Sequence, residues 1–175
     1  YVANRLYNLE FKERSDIPKY HPDVKTYEVT RNGQHVGILM LDYFPRASKR
    51  SGGWTSALRA QHIDRDGKQV TPIVSINTNF NPAAGDKPSL LNAEEASTLF
   101  HEFGHALHSL LSNTAYQSGV SRDFVELPSQ IMEHWVLEPE VLKEYAKNYS
   151  TGEVIPASLI RKLEESSKFN MGFVT

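Results

Sequence analysis

The chain contains no cysteine among its 175 residues. That excludes disulfides and thiolate metal sites, so any transition metal must be held by histidine and carboxylate. It also lacks a charge excess: 19 Lys and Arg stand against 21 Asp and Glu, for a net charge of −2. No basic patch stands out, so nucleic acid is not an expected partner. No apolar run approaches the roughly 20 residues needed to span a bilayer, so a membrane is not expected either. Hydrophobic residues are modest at 39%, yet this length supports one domain with a real core. Internal repeats and low-complexity segments are absent. The absence of cysteine does not separate compartments; a cytoplasmic location is the expectation, with the periplasm as the alternative.

What the chain does have is His-Glu-x-x-His, at His101-Glu102-Phe103-Gly104-His105. Four residues of helix advance about 6 Å, roughly one turn, so both histidines project from one face. Two imidazoles so placed can converge on one zinc ion. Glu102 then stands beside the metal, free to take a proton from water. The surroundings support a helix: Leu99, Phe100, Phe103, Ala106, Leu107, Leu110 and Leu111 fall at helical spacing. Asn92 with Glu95 three positions on has the pattern of a capping box. A helix of some twenty residues is predicted, with the motif well inside it. The bland alternative is a surface helix whose His and Glu merely pair with one another.

His108 lies about 10.5 Å along the axis from His101, too far to share its metal. It is read as a histidine that packs or hydrogen-bonds behind the ligands. The longer motif with glycine and a third histidine is absent, since position 108 is His and position 111 is Leu. A catalytic zinc usually takes three protein ligands, so the third must come from elsewhere. The segment 122–135 offers Asp123, Glu126, Glu133 and His134, with Pro128 suited to a helix's first turn. Residue chemistry alone leaves these four open.

The run FHEFGHALH (100–108) followed by RDFVELPSQIMEHW (122–135) resembles the thimet oligopeptidase family of zinc peptidases. YHPDV (20–24), DYFPRASKRSGGW (42–54) and NFNPAAGDKPSLL (79–91) agree with it, and the likeness runs over essentially the whole chain. The bacterial peptidyl-dipeptidase branch is the nearest in character. The resemblance implies His101, His105 and Glu126 as ligands of one Zn2+ per chain, with Glu102 as general base. It implies a zincin-like core acting on short peptides, with release of C-terminal dipeptides or, alternatively, cleavage of internal bonds. Family members are several times longer. The chain is therefore read as a core excised from a larger, mostly helical enzyme, its partners including the N- and C-terminal regions of that enzyme. Little or no activity is expected of the 175 residues alone. A non-catalytic zinc- or peptide-binding module is the rival reading.

Along the chain, strands precede helices, so the class is α+β. The division expected is a strand-rich half, 1–91, and a helical half, 92–175, that carries the zinc site. Residues 1–14 suggest a short helix running into a strand. Residues 26–31 and 35–43 read as strands around Asn32-Gly33, a strong hairpin signal. Asp66-Gly67 suggests a second tight turn. The loop 44–57, with Arg46, Lys49, Arg50, Gly52, Gly53 and Trp54, reads either as a basic flap touching substrate or as a solvated loop. Residues 70–79 read as a strand whose free edge could pair with a peptide, with Asn77 and Asn79 as candidate substrate contacts. Ser129, Gln130 and Glu133 are candidates to orient the ligands from behind. Helices are predicted over 139–149 and 157–169, with Tyr145, Tyr149, Leu159, Leu163 and Phe169 as packing residues.

Overall fold

A computed structural model describes residues 1–116 and 119–168, the side chains of 167 and 168 excepted. It is α+β. The short helix α1 (Val2–Tyr7) turns into β1 (Leu9–Glu13) through Asn8, which adopts the left-handed conformation. β2 (Lys25–Arg31) and β3 (Gln34–Asp42) form the expected hairpin, with Asn32 and Gly33 at φ 52° and 75°. These positive values are what a tight two-residue turn demands, and Asn and Gly tolerate them. β4 (Trp54–Arg59) follows, then the two-residue strands β5 (His62–Ile63) and β6 (Gln69–Val70), joined at a turn with Gly67 at φ 78°. β7 (Ile73–Asn77) completes the strands.

The main sheet has the order β1-β2-β3-β7-β4. β7 runs parallel to β3 and antiparallel to β4, so it lies inside the sheet and β4 forms the edge. The free edge expected for residues 70–79 therefore belongs to β4. Both sides of β7 are taken up by neighbouring strands, and four of its five residues are buried. Its alternation assigns faces, Val74 and Ile76 towards α2 and Ser75 and Asn77 away from it, but does not report which strands stand beside it.

Among the described residues, the sheet is followed by helices α2 (Ala93–Leu110), α3 (Leu127–Glu133), α4 (Pro139–Tyr145) and α5 (Ala157–Lys168). The capping box forms as its sequence pattern predicts. Glu95 N–H donates to the Asn92 side chain at 2.8 Å, and Asn92 N–H donates to the Glu95 carboxylate at 2.9 Å. Two otherwise orphaned donors are thereby satisfied. One face of the sheet, with Val29, Leu39, Val74 and Ile76, packs on Ala106, Leu107 and Leu110 of α2. Burying each large aliphatic side chain there contributes about 1.5–3 kcal/mol, which fixes α2 across the strands. Helix α4 stops at Tyr145, short of the expected Tyr149. Beyond it Lys147 bridges to Val154, and the Asn148 side chain accepts from the Ser150 and Thr151 N–H groups. Tyr145 packs on the Phe100 ring and donates to the Val136 carbonyl. Phe169 lies outside the described residues. Among the described residues no helix is long and apolar enough to cross a membrane.

Candidate metal centre

Helix α2 presents His101 and His105 one turn apart, their ring centroids 4.9 Å apart and the rings nearly perpendicular. Helix α3 brings up Glu126 as its N-cap residue. The approach depends on Gly104. A β-carbon there would lie 2.5 Å from both the Pro128 carbonyl oxygen and the Ser129 α-carbon. Backbone thus meets backbone between the two helices. Glycine weakens a helix interior by about 0.5–1 kcal/mol relative to alanine, and here it admits the second helix.

Glu126 Oε2 consequently stands 3.2 Å from His101 Nε2 and 3.3 Å from His105 Nε2. The three ligand atoms all lie within 4.8 Å of one another, and among the described residues no other group of His, Asp and Glu gathers this way. Four-coordinate zinc with bonds of about 2.0–2.1 Å has ligand–ligand edges of roughly 3.3–3.4 Å. The two edges match that size. The hydrogen bonding points the same way. His101 Nδ1 lies 2.5 Å from Glu133 Oε1, and a carboxylate can only accept, so Nδ1 carries the hydrogen. In the neutral ring Nε2 is then a bare lone pair facing a carboxylate oxygen. A cation between them relieves that conflict, and two imidazoles with one carboxylate form a donor set suited to zinc.

Ser129 is fully buried and donates to Glu126 Oε2 at 2.8 Å, fixing the carboxylate. This hydrogen bond is the largest cause of a Glu126 pKa below the ordinary carboxylate range; burial opposes it, and His105 and His101 add to it where they are charged. A ligand kept ionised is one ready for metal. Glu102, on the next position of α2, is 6% exposed. Its Oε2 accepts a hydrogen bond from the Thr55 hydroxyl at 2.8 Å. A shallow hollow of about 330 Å³, lined by Glu94, Ser97, Thr98, His101 and Glu133, opens beside His101.

Of the candidates read from the sequence, the structure brings together His101, His105 and Glu126, with Glu133 and Ser129 in direct contact behind them. Asp123 and His134 do not join the group. Gln130 is exposed on α3 and is not among the side chains touching the three. His108 stacks edge-on against Phe124 at 6.0 Å instead. Asn77 is placed elsewhere. It pairs with Trp54 and Asp42 in register, on the face of the sheet turned away from α2. There it is 6% exposed, and its side chain donates to the Ser75 hydroxyl and the Trp54 carbonyl. Asn79 donates to the Arg50 and Gly52 carbonyls and so shapes the preceding loop.

That loop is pinned rather than a free basic flap, although Pro45, Ala47, Ser48, Arg50, Ser51 and Gly52 are exposed. Lys49 has a side chain only 3% exposed and donates to the Asp42 carboxylate and to the Asp42, Phe44 and Thr78 carbonyls. Arg46 grips both Asp42 oxygens at 2.8 Å, and Tyr20 adds a third donor. Burial pushes the Asp42 pKa up, but the hydrogen bonds from Arg46, Lys49 and Tyr20 outweigh it and hold the group below its ordinary value. Arg50 lies 4.5 Å over the Trp54 ring. Residues 54–57 belong to β4. Two residues that matter to the site, Thr55 and Gly104, were not singled out in the sequence. The one available signal was a glycine in the middle of a strongly patterned helix.

The family model for peptidase family M3 matches residues 1–175. The chain is 39% identical to the dipeptidyl carboxypeptidase of Escherichia coli over 178 aligned residues, covering 99% of this chain and 26% of that protein. It is 41% identical to oligopeptidase A of the same organism, covering 93% of this chain and 25% of that protein. An organellar oligopeptidase A of Arabidopsis thaliana is 34% identical over 98% of this chain and 23% of its own length. The chain thus spans about a quarter of the length of these relatives. The likeness first seen in the two long motifs is borne out along the whole sequence, and the chain belongs to peptidase family M3.

Proposed function

We propose that these residues form the zinc-bearing part of a zincin-like catalytic core that hydrolyses short peptides. The observation that carries this is the meeting of His101, His105 and Glu126, with Glu126 Oε2 at zinc-tetrahedron edge lengths from both Nε2 atoms and the Glu102 carboxylate on the adjoining position of the same helix. The three would hold one zinc ion, which when bound supplies Lewis acidity towards water and a peptide carbonyl. Glu133 fixes the tautomer and tilt of His101. Ser129 keeps Glu126 ionised and aimed. Glu102 takes a proton from the attacking water and returns it to the departing amine. The free edge of β4 lies alongside α2, linked to it through Thr55. An extended peptide can add there as a further strand.

For the mode of cleavage we propose release of C-terminal dipeptides. A relative named dipeptidyl carboxypeptidase, aligned along 99% of this chain, supports it. Internal cleavage is the competing mode, supported by the relatives named oligopeptidase A. Peptides with free and amidated C-termini, offered to the intact natural polypeptide, separate the two: dipeptide release requires the free carboxylate. The 175 residues alone are expected to bind zinc and turn substrate over poorly, as oxyanion donors worth about 10²–10³ in rate each commonly come from several parts of an enzyme.

The deciding experiment is Glu102→Gln in the intact natural polypeptide, with metal content measured alongside turnover. Full zinc content with at least a ~10²-fold loss of kcat is expected. Near wild-type turnover in the variant, or wild-type turnover indifferent to a strong chelator, would sink the reading.

A further inference from the structure

We propose that Thr55 is a positioning residue for Glu102, holding the base from the edge strand through a hydroxyl that has two acceptors in reach. This deepens the peptidase reading and rests on it. Thr55 lies on β4, paired with Ile76, on the side of the sheet that faces α2. Its Oγ1 is 2.8 Å from Glu102 Oε2 and 2.9 Å from the Glu102 main-chain carbonyl oxygen. Among the described residues no other side chain hydrogen-bonds the Glu102 carboxylate. Gly53, two residues before Thr55, closes the other side: a β-carbon there would come within 3.4 Å of Glu102 Cγ and Oε1. The carboxylate is thereby bracketed by Thr55 at the start of β4 and by Gly53 just before that strand.

The double reach of the hydroxyl is what suits it to hold a carboxylate in place. Its hydrogen can go to Oε2 or to the main-chain carbonyl, so the side chain and the main chain of Glu102 meet the same position on β4. Glu102 is thereby held in one place. It also stays tied to the strand whose free edge is proposed to receive the peptide.

A purely structural hydrogen bond between strand and helix would look similar in a static view, so the test separates the two. Thr55→Val keeps the shape and removes the hydroxyl; Thr55→Ser keeps the hydroxyl. In the intact natural polypeptide, Thr55→Val is expected to lower kcat about 10–100-fold, since a loosened catalytic group of this kind costs up to ~10² in rate. KM should stay within about twofold and zinc content should be unchanged. Thr55→Ser should recover kcat to within about threefold. A second readout needs no turnover: the side-chain carboxyl carbon resonance of Glu102, identified by its loss in Glu102→Gln, should move in Thr55→Val and return in Thr55→Ser. Unchanged kcat in Thr55→Val, equal losses in both variants, a change confined to KM, or an unmoved resonance would each overturn the proposal. An inactive wild type, or a fully active Glu102→Gln, would instead remove the peptidase reading, and the resonance would still decide whether Thr55 holds Glu102.

Discussion

Replacing Gly104 with alanine sets two physical effects against each other. By helix propensity alone the change should stabilise α2, by about 0.5–1 kcal/mol. The added carbon, however, would sit 2.5 Å from the Pro128 oxygen and the Ser129 α-carbon, and 2.9 Å from the Pro128 carbonyl carbon. All three are backbone atoms, so no rotamer change removes the clash. Ordinary contact requires α3 to retreat by about 1 Å, and overpacking of this kind costs about 1–3 kcal/mol. Glu126 caps α3 and travels with it. Its distances to the two histidines, now 3.2 and 3.3 Å, would then open to roughly 4 Å, beyond the ~3.3 Å edge that zinc bonds allow. The expected result is a metal-free protein destabilised by up to about 2 kcal/mol, with zinc affinity reduced tenfold or more. Urea unfolding of the metal-free protein and competition against a chromophoric chelator measure the two quantities. A variant that is more stable than wild type and binds zinc equally well would refute the close-contact argument and leave propensity as the only effect.

Glu133→Ala should cost about 10–100-fold in zinc affinity, the usual effect of removing the group that orients a ligating histidine; Glu133→Gln, which retains an acceptor for His101 Nδ1, should lose less. The same chelator competition checks both, and equal losses would deny any role to hydrogen bonding. Asp42→Asn addresses stability and pH. The folded pKa of Asp42 is depressed, so its contribution is fully present above the unfolded value of about 3.9 and is lost as pH falls through the folded value. The variant should therefore be about 3–5 kcal/mol less stable near neutrality, with Lys49 left buried and uncompensated. It should also show a shallower loss of stability below pH ~4. Urea midpoints between pH 3 and 7 would show it, and parallel pH profiles for both proteins would contradict it.

The parts of this fold legible in the sequence are those governed by short-range chemistry. The capping box at Asn92 and Glu95, the positive-φ turn at Asn32-Gly33 and the one-turn spacing of His101 and His105 each involve residues within five positions. The third member of the cluster needed a family likeness, because Asp123, Glu126, Glu133 and His134 are chemically equivalent candidates until the angle between two helices is known. That angle depends on a missing side chain at Gly104, and a glycine inside a helical pattern signals a close approach without naming what approaches. Asn77 and the edge of the sheet were misplaced for a related reason. The alternation in β7 separates Val74 and Ile76 from Ser75 and Asn77 and so assigns faces, but its partners within the sheet lie far along the chain. By sequence the loop 44–57 stays open between a basic flap and a solvated loop because its three cations lie in one short stretch, whereas Asp42 binds two of them and the Trp54 ring takes the third.

The sheet order has a consequence for how the molecule reaches its native state. β2 and β3 meet through a two-residue turn and can pair early, since short loops close at little entropic cost. Among the described residues β4 joins the sheet only through β7, and the stretch between those two strands, 60–72, is less than half as long as the stretch 43–72 between β3 and β7. By the same entropy β4 and β7 can pair with each other before the pair docks on β3. Protection of β4 amides from hydrogen exchange during refolding should lag behind that of β2 and β3. The contact that steadies Glu102 then needs the β4–β7 pair and α2 brought together, so a chain caught before that docking would display its histidines without an anchored base.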